Sequence, residues 1–113
     1  MDYTDRLRRL AINDPRYVNE VLGGAGNASP ELDPKTLALV RLAALVAVGG
    51  AVPSYGAFAD AALDAGATAE QIVDVLVGVA PVVGQPCVVA AAPQLGMALG
   101  YEINAALEST SDA

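Results

Sequence analysis

Residues 53–86, PSYGAFADAALDAGATAEQIVDVLVGVAPVVGQP, decide the fold. The stretch reads as two helices joined at Gly66. Pro53 suits the first helical position, where its missing N–H would have no partner anyway. Gly66 is the residue type that closes a helix in the left-handed conformation. Between them Tyr55, Phe58, Ala59, Ala62 and Leu63 recur at helical spacing and are expected to share one apolar face. Asp60 and Asp64 fall on the other side, towards water. Thr68 and Gln71 have the spacing of a capping box, and Glu70 suits the positive helix end. From there Ile72, Val73, Val75, Leu76, Val77, Val79 and Ala80 cover most of the circumference, leaving Glu70, Gln71, Asp74 and Gly78 as a narrow polar strip. A helix apolar on so many sides needs more than one neighbour. In a short chain, a second subunit is the natural one.

Working towards the N-terminus, 33–48 (DPKTLALVRLAALVAV) reads as a helix capped by Asp33, opened by Pro34 and stopped at Gly49-Gly50. Leu37, Val40, Ala44, Ala47 and Val48 are its expected core face. Arg41 interrupts an apolar run. It either snorkels or pairs with a carboxylate, or it grips a small carboxylate as a bidentate anchor. Residues 1–28 read as a helical arm: Leu7, Leu10 and Ala11 form a stripe, and Arg6, Arg8 and Arg9 cover the other faces, where they either solvate the arm and pair with nearby carboxylates or form an acid-binding patch. Asp14 and Pro15 then start a second helix with Val18, Val21 and Leu22 on its apolar side, and Gly23, Gly24 and Gly26 end it. Towards the C-terminus, 86–107 reads as a last helix, broken or kinked near Ala92 because Pro93 removes a backbone hydrogen bond. Leu95, Leu99, Ile103 and Leu107 mark its apolar face, with Gly96 and Gly100 allowing close packing. The tail 109–113 is expected to be disordered. No strand pattern occurs, so the fold class is all-α with five to six helices.

With 113 residues the chain is one modest globular body. Hydrophobic residues make up 54% but aromatic ones only 4%, so Ala, Val and Leu must fill the interior. A net charge of −7 argues against nucleic acid and anionic membrane as partners. There is no histidine and one cysteine, Cys87, which excludes an intramolecular disulfide and leaves no metal site or cofactor to expect. Val75 to Tyr101 carries no charge, but Pro81, Gly84, Pro86 and Pro93 punctuate it, which favours burial in an oligomer over a membrane span. A cytoplasmic location is expected, since no apolar leader follows Met1.

Three strings, LDPKT-x2-LVRLAALVAV at 32–48, AL-x2-GAT-x2-QIVDVLV at 62–77 and VGQP at 83–86, together resemble the carboxymuconolactone decarboxylase family, whose wider superfamily includes the alkylhydroperoxidase-D-type disulfide reductases. The likeness covers about residues 32–100. It implies a helical domain, placed here at 29–108, that assembles into trimers or hexamers with sites between helices near subunit contacts. In the redox branch a Cys-x-x-Cys-x-x-His motif ends eight residues before the glycine matching Gly66. This chain has Val52, Tyr55 and Phe58 at those three positions. Disulfide exchange needs a dithiol and a base, and neither is present there. The decarboxylase branch keeps the same histidine, and Phe58 cannot move a proton.

Arg41, Val52, Tyr55, Phe58, Gln85 and Cys87 therefore make up the candidate pocket. Tyr55 is either a packing tyrosine with a bonded hydroxyl or a weak acid orienting a substrate oxygen. Cys87 is either an apolar filler or a thiol activated at a helix N-terminus. Gln85 serves the loop backbone. Two functions follow: a catalytically silent oligomeric module, scaffold or partner-binding unit, or a lyase- or isomerase-type protein that holds a small organic acid between helices through Arg41 and Tyr55.

Overall fold

A computed structural model of the protein describes residues 2–23 and 31–101 and divides the chain at Leu32–Asp33 into two compact units. The described residues form six helices and no strand. The first unit holds α1 (Tyr3–Ala11) and α2 (Pro15–Leu22). Asp2 caps α1 by accepting from the Asp5 N–H at 2.9 Å, and Asp14 caps α2 by accepting from the Arg16 N–H at 3.1 Å. Asn13, at φ 55°, makes the left-handed turn between them, a conformation its short polar side chain tolerates. Arg6 Nε donates to the Tyr17 hydroxyl at 3.3 Å and ties the two helices together. Arg8 and Arg9 both reach Asp5, at 2.8 and 3.1 Å, as expected of arginines that pair with nearby carboxylates. No side chain of either helix is buried. Of the glycines expected to end α2, Gly23 is its C-cap; Gly24 and Gly26 lie outside the described residues.

The second unit packs α3 (Pro34–Val48), α4 (Val52–Asp64), α5 (Ala69–Val83) and α6 (Gln85–Ala98) around one apolar core. Each boundary has a chemical cause. The Thr36 N–H donates to Asp33 at 2.7 Å, and Gly49, at φ 81°, stops α3. The α4 helix begins at Val52, one residue earlier than proline placement suggests, because Pro53 also fits the second position, another without an intrahelical N–H partner. Gly66, at φ 101°, lets the Ala67 N–H reach back to the Ala62 carbonyl at 2.9 Å. The Thr68–Gln71 capping box is complete, with bonds of 3.0 and 3.1 Å.

Four expectations are corrected here. Pro93 does not break α6, which runs through it to Ala98; the Val89 carbonyl, whose helical donor the proline removes, lies on a turn where both Val89 and Pro93 are exposed. The last helix also does not extend to 107. Gly100, at φ 81°, closes it, and the Tyr101 N–H bonds the Gly96 carbonyl at 2.8 Å. Ile103, Leu107 and the tail lie outside the described residues. Finally, the core face of α3 is Leu42, Leu45 and Val46, supported by Ala38 and Leu39, whereas Val40 is 50% and Val48 81% exposed. Because α3 is apolar all round, its periodicity does not say which side faces inward. The α4 face is also narrower than its spacing suggests: Tyr55, Ala59 and Ala62 are buried, but Phe58 and Leu63 are exposed.

Candidate functional site

The candidate residues lie on three helices of the second unit, α3, α4 and α6. Arg41 sits on α3 between exposed Val40 and fully buried Leu42, itself half-buried. Among the described residues its guanidinium makes no ion pair and no hydrogen bond, so the structural ion pair is not formed there. Tyr55 is in the core, 4% exposed, sharing its cluster with Ala59, Ala62 and Leu42. Among the described residues its hydroxyl has no hydrogen-bond partner. Val52 and Phe58 flank Tyr55 on α4. At about 100° per residue the three span an arc of roughly 120°, with Tyr55 at its inward centre. Both flanking side chains are exposed on this chain, so they do not line an enclosed apolar pocket within it. Gln85 is the exposed first residue of α6, and Cys87, two positions on, is a half-buried free thiol.

Helices α3, α4 and α6 all pack on one another. They bring the elements bearing Arg41, Tyr55 and Cys87 together, but no hydrogen bond or ion pair joins any two candidates among the described residues. No group of three metal-binding side chains occurs among those residues. The arrangement offers a cation and a phenol, without a proton-transfer base or a second thiol.

One residue was not legible in advance. Gln94 on α6 buries its Oε1 without a partner. Cys87, Ala91, Gln94 and Ala98 share a stripe at helical spacing, and Ala91 on it is fully buried. A glutamine beside Pro93 in an otherwise apolar run was the available signal. Its two-sidedness, with Leu95 buried after it and Pro93 exposed before it, emerges only from the packing.

The four packed helices, the four left-handed glycines between or after them and the GQP start of α6 define an all-α helical domain. The carboxymuconolactone decarboxylase family matches residues 15–95, well over half of the chain, and the protein belongs to that family. The match begins at Pro15, so it takes in α2 as well as the second unit. The chain matches no curated protein and no solved structure. No helix among the described residues is long and apolar enough to cross a membrane.

Proposed function

We propose that this member of the family serves as a self-associating helical module, a scaffold or partner-binding unit, rather than as a thiol peroxidase or a histidine-dependent decarboxylase. The observation that carries the reading is the second, outward face of the helices. Val82 is 86% exposed, Val77 67% and Val89 60%, in a run from Val75 to Tyr101 without a charge. Burying one such valine contributes about 1.5 kcal/mol or more. Association costs at least about 4 kcal/mol in lost rigid-body freedom. Several must therefore be covered together, and the outward Val40 and Val48 of α3 and Phe58 of α4 extend the apolar surface available. A trimer or hexamer is the assembly that the family resemblance favours.

The chemistry supports the same reading. Val52, Tyr55 and Phe58 replace a dithiol and a base, and Cys87 alone has no resolving thiol within its chain. The α5 positions divide clearly: Ile72, Leu76, Val79 and Val83 pack within the chain, so Val82 is the informative site. Light scattering at micromolar concentration should give a homo-oligomer for the wild type and for Asp64→Lys, and a smaller species for Val82→Glu. A stable, soluble wild-type monomer would overturn the proposal. Arg41, half-buried and without an ion pair among the described residues, favours one second reading, a binder of small organic acids. Its test belongs with that residue and is argued below.

A further inference from the structure

We draw no further inference here: the strongest candidate, the side-chain stripe of Cys87, Ala91 and Gln94 on α6, rests on a single buried Oε1 without a donor among the described residues, and nothing in the structure shows what group would meet it.

Discussion

At the scale of single residues, a few carboxylates hold helix ends. Asp33 accepts the Thr36 backbone N–H, which holds its carboxyl below the ordinary value of 3.8; the Asp2 carboxyl is held down in the same way by the Asp5 N–H. Asp5 is lowered chiefly by its hydrogen bond with Arg8. Each folded-state value lies below the unfolded one, so the stabilisation is fully present above 3.8 and disappears as pH falls through the folded value. Acid unfolding followed by circular dichroism should therefore show less loss as the pH falls below 3.8 in Asp33→Asn, which keeps a capping oxygen but does not titrate. An unchanged acid limb would assign it to other carboxylates. Arg41, half-buried on α3, makes no ion pair among the described residues. Arg41→Met should leave stability within about 0.5 kcal/mol of wild type. In thermal-shift measurements, a panel of small mono- and dicarboxylic acids should leave the wild-type midpoint where it is. Stabilisation by one of those acids that vanishes in Arg41→Met would establish the acid-binding reading instead.

At the scale of helices, boundaries and faces have different origins. Boundaries come from local chemistry: Asp33 with Pro34, Gly66, and the Thr68–Gln71 box each satisfy backbone groups within a few residues. Faces come from neighbours. The α3 helix has apolar residues on all sides, and the packing of α4, α5 and α6 selects Leu42, Leu45 and Val46. Leu42 has no exposed surface, so Leu42→Ala removes a side chain from a closed site and should cost about 2–5 kcal/mol in chemical denaturation. Val40→Ala, one position earlier and half exposed, should cost under about 1 kcal/mol within one chain. If the two substitutions cost the same in a variant kept monomeric, the inward face of α3 is misassigned. A larger effect of Val40→Ala in the assembled protein than in the monomer would place α3 at a subunit contact.

At the scale of the molecule, stability and association are coupled if the outward valines are covered by another copy. The thermal midpoint should then rise with protein concentration, because mass action favours the folded assembly. A midpoint independent of concentration over a hundredfold range, with a monomeric scattering mass, would separate folding from association. The same scale governs reactivity. Each chain carries one thiol, so Cys87→Ser should leave peroxide and dithiol assays at the background of the wild type. Turnover that depends on Cys87 would require the thiol of a second chain.

What the sequence alone determined was whatever rests on contacts a few residues apart. That includes the helical class, the caps at Asp14, Asp33 and Thr68, the stops at Gly49 and Gly66, and the absence of a dithiol and histidine at positions 52, 55 and 58. These features are local, because a capping oxygen or a left-handed glycine acts on its own turn. The tertiary structure decided the questions that local periodicity leaves degenerate. An all-apolar helix has no preferred side, so the inward face of α3, the burial of Tyr55 and the exposure of Phe58 follow from which helices lie against them. The placing of Val89 and Pro93 on the exposed side of α6, and of the Gln94 oxygen where no donor reaches it, likewise depends on what packs around the helix. These are properties of neighbours distant in sequence.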